Sequence, residues 1–150
     1  MVYGADKRNE MTYHQPTQPD DWKTPESFYQ ELNERFDFDF DPCPLNHNIQ
    51  EWDGLVVEWG NRNFVNPPYS RKLKKAFVLK AIQESKKGKL CVLLLPGSTD
   101  TKLFHDHILP NAKDIEFIKG RLKFEGFNYD GVFCNMPSRQ SSILVIFDGR

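Results

Sequence analysis

The sequence predicts an α/β fold: a compact single domain on a mixed sheet, with antiparallel pairing at one edge. Three observations carry this. Segments with strand and helix periodicity alternate through the first two thirds of the chain, the order that builds an α/β sheet. Leu90-Cys91-Val92-Leu93-Leu94-Leu95 is an unbroken apolar run, the mark of a strand covered on both faces as in a parallel α/β sheet. Two or three further strands then follow in the last third, which brings in the reversed pairing.

Each element has a local reason. Residues 1–20 are polar, with Gln15-Pro16-Thr17-Gln18-Pro19, and read as a flexible arm or extended lead-in ahead of a domain spanning 21–150. Thr24-Pro25-Glu26 opens a helix, with Thr24 as N-cap and Pro25 at the first helical position. Phe28, Tyr29, Leu32 and Phe36 supply its apolar stripe. Phe36-Asp37-Phe38-Asp39-Phe40-Asp41 alternates strictly, which predicts a strand with its Phe face inward, stopped by Pro42. Residues 42–62 are irregular. Asn63 to Val65 is a short strand. Leu73 to Lys86 is a helix with Phe77, Val78 and Ile82 inward and Gly88 as its stop. Thr101 to Ile108 is a short helix closed by Pro110. Ile115–Ile118 and Leu122–Phe124 are strands about Gly120, and Ser142 to Phe147 is the last strand.

The chain has 150 residues, 39% hydrophobic and 13% aromatic, enough for one real core. The 12 Phe argue against disorder across the whole chain. A net charge of −1 gives no global attraction to nucleic acid, so such a surface must be a local patch. The candidates are the Lys/Arg of residues 71–75 and 119–123. Cys43, Cys91 and Cys134 are odd in number without CxxC spacing, which fits a reduced, intracellular protein. No apolar stretch approaches the roughly 20 residues that span a bilayer, and no signal-peptide core is visible, so the expected location is the cytoplasm, away from membranes. His105-Asp106-His107 spaces its imidazoles i, i+2, off a common helix face, so no metal site is expected.

Asn66-Pro67-Pro68-Tyr69 carries the chemistry. Two prolines fix φ, remove donors and bias the preceding residues to extended geometry. The Asn66 side chain and neighbouring carbonyls then face outward on a stiff scaffold beside an aromatic ring. Such a site offers acceptors and a stacking surface, with no strong acid, base or nucleophile. It suits a nucleobase or amide amino group. The 6-amino nitrogen of adenine is a poor nucleophile because its lone pair is delocalised. Acceptors at the Asn66 oxygen and the Pro67 carbonyl would each take one N–H and draw the nitrogen towards tetrahedral shape. Tyr69 would stack on the base, a contact worth roughly 1–3 kcal/mol. The plainer reading is a diproline turn with a packed Tyr.

Other residues are weighed the same way. Thr24 is a helix cap, a site for a ligand carboxylate at a helix N-terminus, or both. Asp41 lies just past a predicted strand end, where α/β folds place ligands. Asp53 is a ligand acceptor or the first residue of an Asp-Gly turn. Arg71, Lys72 and Lys74 are phosphate contacts beside the Asn66–Tyr69 loop, or the exposed face of an amphipathic helix. Arg121 and Lys123 form a second basic strip.

A recognisable pattern runs through the chain: Trp22-x-Thr24-Pro25, Phe38-Asp39-Phe40-Asp41-Pro42-Cys43, Asn66-Pro67-Pro68-Tyr69, Leu94-Leu95-Pro96, Gly120-Arg121-Leu122-Lys123-Phe124 and Ser141-Ser142-Ile143-Leu144-Val145-Ile146-Phe147 occur in that order. This set, over about residues 20–148, resembles the phage-type DNA N-6-adenine methyltransferase (Dam-like) family. The resemblance implies a Rossmann-like S-adenosylmethionine-dependent methyltransferase fold over residues 21–150. It also implies methyl transfer to the 6-amino group of an adenine flipped out of double-stranded DNA, in the host cell cytoplasm if phage-encoded. Asn66, Pro67, Pro68 and Tyr69 would form the catalytic loop. Trp22, Thr24, Pro25, Asp41, Pro42, Cys43, Asn46 and Asp53 would hold S-adenosylmethionine, with Thr24-Pro25 at its methionine end. Arg71, Lys72, Lys74, Arg121 and Lys123 would contact DNA. The chain departs from the usual Asp-Pro-Phe-x-Gly type of cofactor loop: Pro42-Cys43-Pro44-Leu45-Asn46 stands there without glycine. Target specificity would be relaxed, or would depend on loops 42–62 and 125–140 or on a homodimer. Asn-Pro-Pro-Tyr also serves glutamine side-chain methyltransferases, so RNA or a protein amide is the second substrate class. A catalytically inert DNA- or cofactor-binding module is the third reading.

Overall fold

The computed structural model describes residues 23–45, 47–127, 133–137 and 140–150. The expected arm of residues 1–20, Trp22 and Asn46 lie outside the described residues. Along the chain come helix α1 (Glu26–Phe36), strand β1 (Arg62–Val65), helix α2 (Arg71–Ser85) and strand β2 (Leu90–Pro96). A π-helical segment (Leu103–Ile108) runs into a last turn, α3 (Leu109–Asn111). Strands β3 (Asp114–Phe117), β4 (Lys123–Phe127), β5 (Phe133–Pro137) and β6 (Ser142–Asp148) follow.

The strands form a four-stranded sheet of order β1-β2-β6-β3 and a separate two-stranded ribbon, β4-β5. β1 and β2 are parallel, and β6 runs antiparallel to both β2 and β3. β1, β2 and β3 therefore point one way and β6 alone is reversed. Their carboxyl ends meet at one edge of the sheet, with the start of β6.

β2 earns its central place from its sequence. Cys91, Leu93 and Leu95 point into one core with Val65 of β1, Phe77, Val78, Ala81 and Ile82 of α2, and Val145 and Phe147 of β6. Leu90, Val92 and Leu94 point into the other with Phe64, Leu144, Leu32 of α1 and Phe124 of β4. Burying each such side chain is worth about 1.5–3 kcal/mol. So α2 covers one face of the sheet, while α1 and the β4-β5 ribbon cover the other.

The opposite, amino edge is closed by buried charge. Glu84 of α2 is 1% exposed and accepts from Lys89 Nζ (2.6 Å), Lys87 Nζ (2.9 Å) and the Trp59 backbone N–H (3.0 Å). Lys80 Nζ lies 3.3 Å away. Burial alone would raise the Glu84 carboxyl, but these partners together hold it down at about 2. Lys89 also donates to the Trp59 carbonyl at 2.8 Å.

Several sequence expectations need correction. Phe36 to Asp41 is not a strand. α1 continues through Phe36, and Asp37 ends it in the left-handed conformation (φ 53°), its N–H on Asn33 O. Asp is one of the few residues that tolerate this conformation. Only Phe40 bridges β1, at Asn63. The Asp39 carboxylate takes the Arg62 N–H (2.9 Å) that a ladder would have used. The Phe face is not shared either: Phe36 and Phe38 join the α1 core and Phe40 the other.

Thr24 is not the N-cap. Pro25 occupies that position, its carbonyl accepts the Tyr29 N–H at 3.0 Å, and Thr24 is buried one residue outside. Pro110 does not close its helix at Ile108. The wide π-helical turn before it carries the chain on to Asn111, easing the clash of a proline ring with the carbonyl of the preceding turn. Antiparallel pairing is not confined to one edge, because β6 sits inside the sheet. Leu122–Phe124 leads into a ribbon outside the main sheet, and that ribbon occupies part of the expected 125–140 loop. Gly88 does stop α2: its φ is +93° and its N–H bonds Ser85 O at 2.9 Å.

Candidate active site

Asn66, Tyr69 and Asp41, singled out in the sequence, stand at the carboxyl edge of the sheet. Asn66 follows β1 directly. Val65, Pro67 and Pro68 are buried and Asn66 is half-buried between them, so the turn is clamped on both sides of the amide. Tyr69 is 36% exposed. Its ring meets the Phe124 ring of β4 edge to face, at 87° and 5.9 Å between centroids. The carboxyl end of β1 and the ribbon are thus in contact.

Asp41 stands at the same edge, one residue past the Phe40–Asn63 bridge, which runs parallel to β1. Its carboxyl is largely enclosed by protein, while the residue as a whole keeps some solvent-accessible surface. Burial pushes its carboxyl up to about 6, against the Cys43 N–H bond (2.9 Å) and the nearby His47, which both pull it down. Tyr29 of α1 feels the Asp41 charge and is raised, chiefly by its own burial.

The segment after Asp41 folds back on itself. A Cβ on Gly54 would lie 1.9 Å from the Pro42 carbonyl oxygen, so the two stretches touch backbone to backbone and only glycine fits. Asp53 is thereby held beside Pro42. Its Oδ1 accepts the Leu55 N–H at 2.9 Å, and its carbonyl takes the Val56 and Val57 N–H groups. The turn expected of an Asp-Gly pair is therefore present. His47 and Trp52 rings lie 3.8 Å apart, and Trp52 packs on Phe40. Cys43 is buried.

Thr24, 6% exposed, sits where α1 begins. The preceding Lys23 exchanges backbone hydrogen bonds with Glu125 of β4 (2.6 and 2.9 Å). The first turn of α1 carries Glu26, paired with Lys23 at 3.4 Å. One strand, β4, therefore touches both the start of α1 and Tyr69.

Of the basic residues, Arg71, Lys72, Arg121 and Lys123 are exposed and Lys74 is half-buried. Arg71 and Lys72 open α2 immediately after Tyr69, and Arg121 and Lys123 flank the approach to Phe124. Each strip is thus adjacent in sequence to one ring of the Tyr69–Phe124 contact. Among the described residues, no group of three or more His, Cys, Asp or Glu side chains could hold a metal ion. No described helix is long and apolar enough to cross a membrane.

Sequence reasoning missed Phe124 and Gly54 as site-shaping residues. Phe124 was visible as an apolar strand residue, but nothing in the sequence paired it with Tyr69. Gly54 was read only as half of a turn.

The model of the DNA N-6-adenine-methyltransferase (Dam) family matches residues 12–148. The DNA N-6-adenine-methyltransferase of Haemophilus phage HP1 (strain HP1c1) is 36% identical over 139 residues, covering 85% of this chain and 78% of that protein. No solved structure matches.

Proposed function

The chain belongs to the DNA N-6-adenine-methyltransferase (Dam) family, and from that premise we propose that it methylates the 6-amino group of adenine in double-stranded DNA with S-adenosylmethionine as donor. The observation that carries the reading is the clamped Asn66 amide at the carboxyl end of β1, with Tyr69 beside it. Three parallel strands presenting one ligand-facing edge support a Rossmann-like methyltransferase architecture.

The residues at that edge fit the cofactor by their chemistry. Asp41, its carboxyl largely enclosed by protein, is an acceptor for hydroxyl or ammonium donors. The orphan N–H groups that start α1 suit a carboxylate. Thr24, Pro25, Asp41, Pro42, Cys43 and Asp53 would hold it, with Trp22 and Asn46 as further candidates. S-adenosylmethionine, when bound, supplies an electrophilic methyl group on a sulfonium centre.

The chain's own part is to grip and aim the base. A base inside a duplex cannot reach this edge, so the target adenine flips out, at a cost of a few kcal/mol offset by pocket contacts. The Asn66 oxygen and the Pro67 carbonyl accept the two amino N–H groups and favour the charge that develops on nitrogen. The buried prolines fix these acceptors in advance, so little reorganisation is needed during attack. Tyr69 stacks on the base. The reaction needs no positioned general base, because the proton leaves to water after transfer. Arg71, Lys72 and Lys74 on one side and Arg121 and Lys123 on the other hold phosphates.

The test is transfer of labelled methyl from S-adenosylmethionine to unmethylated duplex DNA. Wild type should yield 6-methyladenine. Asn66→Ala should lose at least about a hundredfold in rate, the usual cost of one oxyanion-hole-type contact, while still binding the cofactor. Near-normal turnover by that variant would remove Asn66 from its role. Label on RNA or protein instead of DNA would change the substrate class, and no label with no cofactor binding would point to an inert module.

A further inference from the structure

Phe124 and Glu125 are neighbours on β4, and each reaches a different half of the site. Phe124, 4% exposed, meets the Tyr69 ring edge to face. Glu125 exchanges both backbone hydrogen bonds with Lys23, one residue before the buried Thr24. Among the described residues β4 forms its ladder with β5 and has none to the main sheet. The Phe124 side chain in the core with Leu32 of α1 and the Lys23 bridge both hold it against the rest of the domain. Phe124 therefore anchors the ribbon and touches Tyr69 with the same ring. An edge-to-face contact favours one tilt between two aromatic rings.

We propose that Phe124 is a positioning residue for methyl transfer: it sets the tilt of Tyr69 against the target base, and the Lys23–Glu125 bridge ties that tilt to the helix end where the cofactor is held. The inference rests on the reading of Tyr69 as the base-stacking ring. Phe124 touches no reacting atom. Its effect passes through Tyr69 and falls on the rate of the bound complex more than on cofactor binding.

The experiment is a double-mutant cycle on the full chain: wild type, Tyr69→Leu, Phe124→Leu and the double variant. Each is measured for kcat on unmethylated duplex DNA, for S-adenosylmethionine affinity and for melting temperature. Phe124→Leu should lower kcat roughly three- to tenfold, the range an aromatic pair spans, with cofactor affinity within about twofold of wild type. The double variant should be no slower than Tyr69→Leu, because both changes remove the same ring placement. Additive losses would overturn the proposal. So would an unchanged kcat in Phe124→Leu, or a rate loss matched by equal losses of cofactor affinity and melting temperature. Should Phe124→Leu fail to fold, Phe124→Met, unbranched and adaptable, serves in the same cycle. A wild type inert on DNA would bring down the reading of the site itself, whereas an active wild type with an additive cycle would bring down only the role of Phe124.

Discussion

Asp41 shows how one carboxyl is held buried at a cost to stability, the cost expected of a residue proposed to meet a ligand. Its neighbours are Tyr29 from α1 and Cys43 and His47 from its own loop. Burial raises its carboxyl from the ordinary 3.8 to about 6. A raised folded-state value means the native protein binds the proton more tightly than the unfolded chain does. Stability from this group is therefore complete below pH 4 and falls as pH rises to 6, by at most about 3 kcal/mol. Asp41→Asn removes that penalty. The variant should melt higher than wild type at pH 7, with the difference shrinking towards pH 4, and should bind S-adenosylmethionine more weakly. Melting curves from pH 4 to 7 beside a binding titration check both halves. A variant that binds as well as wild type would take Asp41 out of the cofactor site.

At the scale of elements, the two ends of α2 have opposite tasks. Its amino end follows Tyr69 and carries exposed positive charge. Its carboxyl end is locked to the amino edge of the sheet through Glu84 and Lys89, both nearly inaccessible. Removing one partner of a buried ion pair leaves an uncompensated charge and costs about 3–5 kcal/mol. Glu84→Gln should lose about that much at pH 7, roughly 10 °C in melting temperature for a chain of this size. The Glu84 carboxyl is held below its ordinary 4.5, at about 2. Its contribution is thus intact above pH 4.5 and lost as pH falls towards 2. The variant's stability should change less steeply than wild type's across that window in acid denaturation. An equally steep variant curve would mean that other carboxylates carry the acid sensitivity. The segment from Phe36 to Asp41 teaches a different lesson. Its alternation is as regular as any strand's, yet the Asp39 carboxylate competes successfully for the Arg62 N–H. Periodicity reports which residues are apolar, and a short side chain can still take over the backbone's partner.

For the whole molecule, a net charge of −1 means that DNA affinity must come from local arrangement. The exposed Arg71 and Lys72 after Tyr69, and Arg121 and Lys123 around Phe124, are the residues proposed to supply it. Replacing both Arg71 and Lys72 with Ala should weaken binding about equally for all duplex sequences. It should also flatten the dependence of log affinity on log salt by about 2, at roughly 0.9 per phosphate contact. Titrations of duplex DNA at several salt concentrations measure this. An unchanged slope would return both residues to the role of an exposed helix face.

The sequence by itself determined the class of fold, because β2 has no polar residue to spare for solvent and so had to be central. It determined the Asn66–Tyr69 turn too, since two prolines leave the backbone few alternatives, and the stop at Gly88, which needs a positive φ. Each of these is set by sterics or burial within a few residues. The tertiary structure decided what depends on partners far along the chain. It put β6 inside the sheet, so that reversed pairing is central rather than peripheral. It brought Phe124 to Tyr69 across 55 positions (124 − 69), Glu125 to Lys23, and the Pro42 carbonyl against Gly54. Such contacts follow from which surfaces find each other once the sheet is assembled, and no local pattern encodes them.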